Sequence, residues 1–304
     1  MNQKPEKTYM ANPLECILHK VDPQFAASQG FRYRLSVLLA PDGFSFLITH
    51  ANTQKILSMS VYKFGIVSSV VDESFGWPVN DGTYFELLKK NEITEQHFQR
   101  IDIAIASHKI TVSPFDFIHN GHEADLVNVS QHQNEGEEIL SEEITPQGAV
   151  ASILIPEYIK KNCEFIFPGA NLHCAASVMV KGILRKHQGS NMRQVFINLH
   201  QKYFELVVVQ GPNLIYLNSF KYAEPADVLY FVVFVLEQLG LTPTEESITL
   251  MGELSESTPI LSQLKLYCAS LFYIEKPIEL EYSELLAGIP LHKYFTLLNI
   301  PICE

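Results

Sequence analysis

Long apolar runs are missing from this chain of 304 residues. The longest, residues 228–236, is nine residues, against the roughly 20 that a helix needs to cross a bilayer, so membrane insertion is not expected. Clusters of lysine and arginine are missing too. Asp and Glu number 34 against 22 Lys and Arg, a formal net charge of −12. Nucleic acid and anionic lipid surfaces need cation clusters that displace counterions, so neither is an expected partner. Cysteine is sparse: Cys16, Cys163, Cys174, Cys268 and Cys303 are scattered with no C-x-x-C pair. That pattern fits free thiols in a reducing compartment and argues against a disulfide framework or a zinc site. Residues 1–15 are polar and lack the apolar centre of a signal peptide, so the expected location is the cytoplasm. Absent as well are G-x-S-x-G, a Walker loop, G-x-G-x-x-G and H-E-x-x-H, the signatures of conventional hydrolases, dehydrogenases and zinc proteases.

What is present is an ordinary globular composition, 47% hydrophobic and 18% charged, with enough length for two lobes at ~100–200 residues per domain. Residues 1–30 carry Pro5, Pro13, Pro23 and Gly30 without periodicity and read as an extension whose Leu14, Ile17 and Leu18 dock as one helical turn. From Tyr33 the pattern alternates. Leu35, Val37 and Leu39 share one face, Pro41-Asp42-Gly43 supplies a turn, and 44–50 and 55–64 complete three antiparallel strands. A short helix is predicted over 83–90, and buried strands over 101–107 and 109–112. Between Gly121 and Val150 stand Glu123, Asp125, Glu135, Glu137, Glu138, Glu142 and Glu143 without a single Lys or Arg. This reads as a solvated acidic loop, with a surface for a basic partner as the alternative. Strands over 150–155 and 163–167 and a helix over 171–186 complete the first lobe, which Gly189-Ser190 closes.

The second lobe opens with strands at 195–199, 204–209 and 214–220. A helix then starts at Pro225 and ends before Gly240, the usual asymmetry of helix termini. A strand over 247–251, the turn Gly252-Glu253 and a helix over 259–270 follow. The expected organisation is an extension (1–30), a first lobe (31–190) with an acidic loop (121–150), a second lobe (191–280), and a C-terminal helical segment (281–304) that packs back through Phe295, Leu297 and Leu298. The two lobes are related: an offset of 158 places Val37 on Val195, Phe46 on Phe204 and Ile56 on Leu214 without a gap.

The runs Leu217-Asn218-Ser219-Phe220-Lys221-Tyr222, Asp227-Val228-Leu229-Tyr230, Val235-Leu236-Glu237-Gln238-Leu239-Gly240-Leu241 and Leu250-Met251-Gly252-Glu253-Leu254 resemble an uncharacterised bacterial family known only as a domain of unknown function. Members of that family adopt the actin-like ATPase, or ribonuclease H-like, fold. The resemblance therefore implies an α/β chain of mixed sheets in two lobes, each starting with a three-stranded antiparallel meander. It also implies where a nucleotide would sit: at two hairpins and one loop between the lobes. Here the first hairpin offers Asp42 and Gly43 but also Pro41, which lacks a donor, and bulky Phe44. The second offers Asn198, His200 and Lys202 without a glycine, and the loop offers Gly252 and Glu253. Phosphate cradles need glycines so that backbone N–H groups can approach, so the site reads as degenerate, with no catalytic residue, no metal ligand set and no required cofactor. ATP with Mg²⁺ is the ligand to test.

Two further constellations carry weaker chemistry. His119 and His122 beside Glu123 and Asp125 would need another ligand to hold a metal, and His173-Cys174 pairs a base with a thiol only if their side chains meet. The functional expectation is a non-catalytic scaffold for a protein partner whose identity the sequence does not give. The alternative is a nucleotide-binding switch with weak or no hydrolysis. A homodimer through a lobe edge is compatible with the chain, but no residue singles it out.

Overall fold

The computed structural model describes residues 14–64, 77, 97–144, 148–255 and 257–303; the helix expected over 83–90 lies outside them. The first sheet begins with β1 (Leu14–Val21), followed by the meander β2 (Tyr33–Ala40), β3 (Gly43–His50) and β4 (Ile56–Phe64), and then β5 (Arg100–Ile105). Next come β6 (Ile110–Pro114), α1 (Phe115–His119), α2 (Glu123–Ser130), β7 (Glu137–Ile144), β8 (Ala149–Pro156) and α3 (Glu157–Ile166), before β9 (Asn171–Cys174) and α4 (Ala175–His187). The second sheet comprises β10 (Arg193–Leu199), β11 (Tyr203–Gln210) and β12 (Asn213–Lys221), then α5 (Pro225–Gln238), β13 (Ser247–Gly252), α6 (Pro259–Tyr267) and β14 (Ser270–Tyr273). A C-terminal segment of short helical turns includes α7 (Phe295–Asn299).

Among the described residues the strands form three sheets, ordered β1-β4-β3-β2-β5-β9, β12-β11-β10-β13-β14 and β6-β8-β7. Numbered within each unit, β4-β3-β2-β5-β9 and β12-β11-β10-β13-β14 share one order, 3-2-1-4-5. In both, the first three strands are antiparallel and the rest run parallel to the first. The repeat extends to detail. Leu39 pairs with Phe44 as Leu199 pairs with Phe204, and a bulge falls at Ile48/Thr49 as at Val208/Val209. These equivalences lie 160 residues apart; only on the third strand, where Tyr62 faces Phe44 as Phe220 faces Phe204, is the separation 158. The expected gap-free offset was therefore two residues out in the first hairpin. A slip of two keeps every side chain on its own face, so alternation could not reveal it.

Each large sheet is covered on both sides, which is why its strands are apolar almost throughout. Phe44, Phe46 and Ile48 of β3 join Phe196 of β10 and Val207 and Val209 of β11 in one cluster, with Met179, Val180 and Ile183 of α4 between the sheets. The opposite face of β10 and β11 (Val195, Ile197, Leu206, Val208) packs on Val228, Val232 and Leu236 of α5 and on Leu261 and Leu264 of α6. The opposite face of the first sheet (Leu47, Met59, Val61, Ala104) receives Leu297, Leu298 and Ile300 of the C-terminal segment. That segment is tied down by Arg34 Nη1, 3.2 Å from the Pro301 carbonyl, and Arg185 Nη2, 3.0 Å from that of Ile302.

Several sequence expectations are corrected. Residues 14–18 belong to strand β1, paired along the otherwise open edge of β4, and are not a helical turn. Residues 163–166 lie in α3, where Ile159 and Cys163, one turn apart, are the buried positions; a short apolar run does not distinguish helix from strand. Residues 171–174 are strand, and the helix starts only at Ala175. The acidic stretch, as far as its described residues 121–144 and 148–150 show, is not a single solvated loop. It forms α2, β7 and part of the three-stranded sheet, and its cations come from elsewhere: Lys109 Nζ holds both oxygens of Glu137 at 2.8 and 2.7 Å.

Candidate functional site

Six of the seven residues singled out in the sequence line one cleft between the two large sheets: Asp42, Gly43, Asn198, His200, Gly252 and Glu253. Lys202 is exposed on its turn and does not line it. The cleft measures about 70 Å³ and is also lined by Lys63, Glu205, Lys293 and Tyr294.

Cross-strand register places the first group. Gly43 opens β3 opposite Lys63 of β4, so the Lys63 side chain lies beside the Pro41-Asp42 turn. Its Nζ is 2.5 Å from Asp42 Oδ2 and 2.9 Å from Glu253 Oε1. Burial pulls the Lys63 ammonium toward deprotonation, but the two carboxylates outweigh it and hold the pKa above the ordinary lysine range. One cation thus bridges a hairpin of the first sheet to the loop after β13 in the second.

The second group forms around Glu205, which pairs directly across from Asn198. Glu205 Oε2 lies 2.7 Å from Asn198 Nδ2 and 3.1 Å from His200 Nε2. The His200 ring stacks on Tyr203 with centroids 4.2 Å apart, and its carbonyl accepts the Tyr222 hydroxyl at 2.5 Å. Both rim glycines answer to sheet geometry. Gly252 has φ +85°, and a Cβ there would lie 2.2 Å from the Leu199 carbonyl oxygen; a Cβ on Gly43 would lie 2.1 Å from that of Tyr62. The Glu253 N–H is itself spent on Leu199 O at 2.7 Å.

These residues do not fit a nucleoside triphosphate with its magnesium. The glycines press on neighbouring backbone, three carboxylates (Asp42, Glu205, Glu253) share the lining with Lys63 and Lys293, and Asp42 and Glu253 are already paired with Lys63. Pockets for such ligands usually hold ~300–1,000 Å³.

A second buried polar cluster lies outside the lining of the cleft. His173 offers Nε2 to Asp102 Oδ1 at 3.1 Å and Nδ1 to Glu142 Oε1 at 3.0 Å, and Lys181 Nζ reaches the same Glu142 oxygen at 2.8 Å. Burial opposes a charged imidazole, yet the two carboxylates raise the His173 pKa to about 9. Sequence reading missed this cluster because its members stand on β5, β7, β9 and α4. The neighbouring Cys174 thiol is buried, and burial pushes its pKa up to about 12, which disfavours the thiolate a nucleophile needs. The His122 side chain lies 3.6 Å from Asp125 on the surface, and among the described residues no three His, Cys, Asp or Glu side chains group to hold a metal.

Two mixed sheets of order 3-2-1-4-5, each opened by an antiparallel meander, define a protein of the actin-like ATPase fold. The chain belongs to the family described as protein of unknown function (DUF3822), whose model matches residues 22–271. A Bacteroides thetaiotaomicron protein with actin-like ATPase fold and unknown function is similar in structure, with a TM-score of 0.69 and 20% identity over 83% of this chain and 94% of its own. The PilM–PilN type IV pilus biogenesis complex includes a chain with a TM-score of 0.63 and 8% identity, over 89% of this chain and 98% of its own. At these identities the likeness is one of fold. No curated protein matches the sequence. Among the described residues no helix is long and apolar enough to cross a membrane.

Proposed function

We propose that this protein is a non-catalytic member of the actin-like fold that serves as a scaffold for a protein partner. One observation carries the reading: Lys63, held by Asp42 and Glu253, ties the sheets together across the cleft with a side chain of the protein itself. Phosphoryl transfer works by positioning and charge neutralisation around a bound phosphate; carboxylates already paired within the chain supply neither. The likeness to a chain of the PilM–PilN pilus biogenesis complex lends the scaffold reading support by analogy of fold. Two lobes, with approximate bounds 31–190 and 191–280, belong to this proposal.

The alternative is a nucleotide-responsive switch. Its support is that six of the seven nucleotide-site positions share one cleft; against it stand the small volume and the paired acids. Calorimetric titration of the full chain with ATP and Mg²⁺ tests the choice. No heat and no thermal shift at millimolar ATP is the expected result, and micromolar binding overturns the scaffold reading in favour of the switch.

A further inference from the structure

Helix α5 buries Val228, Val232, Val235 and Leu236 and leaves a second apolar stripe in solvent. Tyr230 is 63% and Phe234 48% exposed. With exposed Ala226 they recur every four residues, forming an i±4 ridge, the feature by which one helix seats in the groove of another. The ridge is stiff. Tyr230 and Phe234 are stacked at 6.2 Å and 15°, and Tyr230 contacts Phe231, which stacks on Phe220 at 4.7 Å. Aromatic side chains already held in place lose little entropy on docking and are the residues that dominate interface energies.

Charge identifies what would cover them. From 222 to 264 the sequence has no Lys, Arg or His, and α5 carries acids at both ends, Glu224 and Asp227 at the start and Glu237 in the last turn. The first two are explained within the helix: they form a capping box at the N-terminus, where the helix dipole favours negative charge. Glu237 is not, because an acid at the C-terminal end opposes the dipole. Arg193 donates to the Leu239 carbonyl, just beyond the helix end, at 2.9 Å.

We infer that the exposed ridge of α5 is a docking surface for a basic amphipathic helix of a partner protein, its apolar face on Tyr230 and Phe234 and its Lys or Arg residues against the acids at the ridge's ends. A second copy of the chain fits less well, since antiparallel pairing of two α5 helices sets Glu237 against Glu224 and Asp227. Anionic lipid is repelled by the same acids. This inference deepens the scaffold reading by giving the partner's chemistry.

The test is fluorescence anisotropy of the full chain with a labelled amphipathic helical peptide of leucine and lysine. Saturable binding is expected, weakened roughly tenfold or more both by Tyr230→Ser combined with Phe234→Ser and by Glu237→Lys alone, with circular dichroism confirming that the variants fold. Absence of binding, or equal binding by the serine variant, overturns the proposal. So does a wild-type dimer in sedimentation that the serine variant dissociates, which assigns the ridge to a second copy. So does ridge-dependent binding to phosphatidylcholine–phosphatidylglycerol vesicles. The ATP titration is independent: peptide docking with ATP binding removes the purely scaffold reading and keeps the surface, and neither event removes the surface alone.

Discussion

Lys63 Nζ on β4 lies 2.9 Å from Glu253 Oε1, one residue beyond β13 in the other sheet, and the same nitrogen holds Asp42 at 2.5 Å. The contact therefore joins segments distant in sequence at a cleft between the sheets.

Lys63→Met removes the cation and leaves two partly buried carboxylates facing each other. A loss of about 1–3 kcal/mol in urea denaturation is expected. Asp42→Asn with Glu253→Gln in the Lys63→Met background should recover part of it. If the double-mutant cycles give no coupling, the bridge contributes nothing to holding the sheets.

His173 makes a pH prediction. Its pKa rises from 6.5 to about 9 on folding, so its contribution is fully present below ~6.5 and is lost as pH climbs through about 9. Asp102 and Glu142 are shifted the other way: burial raises both, but hydrogen bonds from His173 and, in turn, from Asn171 and Arg100 or Lys181 lower them below the ordinary range. Their contribution is lost on acidification instead. The difference in melting temperature between wild type and His173→Asn should be largest near pH 6 and shrink toward pH 10; a constant difference would remove the charged imidazole from the account.

The rim glycines differ from those on open turns. Gly252→Ala drives a methyl into the Leu199 carbonyl at 2.2 Å with φ +85°, whereas Gly121 and Gly136 also have positive φ but nothing within 4 Å. About 3 kcal/mol or more is expected for Gly252→Ala, and ~1 kcal/mol for alanine at Gly121 or Gly136, read from chemical denaturation. Equal losses would mean that backbone conformation alone sets the requirement.

Lys109 and Glu137 form a pair whose side chains are 10% and 1% exposed. Lys109→Met strands a buried carboxylate and is expected to cost ~3–5 kcal/mol, while adding Glu137→Leu should cost far less than the sum of the single changes. Additive losses in urea melts would show that the two side chains act separately.

Much of the fold was legible because strand alternation and helix punctuation agree. Pro225 starts α5 and Gly240, at φ +68°, follows its end, as the sequence indicates. Six of the residues that the resemblance singled out at two hairpins and a loop come together along one cleft. Lys63 and Glu205 were not legible, since each enters the cleft by cross-strand register, Lys63 opposite Gly43 and Glu205 opposite Asn198, which sequence spacing does not display. A signal for Glu205 did exist: a carboxylate inside the otherwise apolar run Phe204 to Val209 is costly unless it has partners. The acidic stretch was misread because Lys109 and Lys181, which hold its buried acids, lie outside it.

The cluster that runs from Phe46 through Met179 to Phe196 and Val207 means that neither half of the molecule owns a finished interior. A fragment cut near residue 190 would expose Phe196, Val207 and Val209 on one piece and Phe44, Phe46 and Ile48 on the other. Each piece would be sticky and short-lived, and the intact protein would melt as a single cooperative unit.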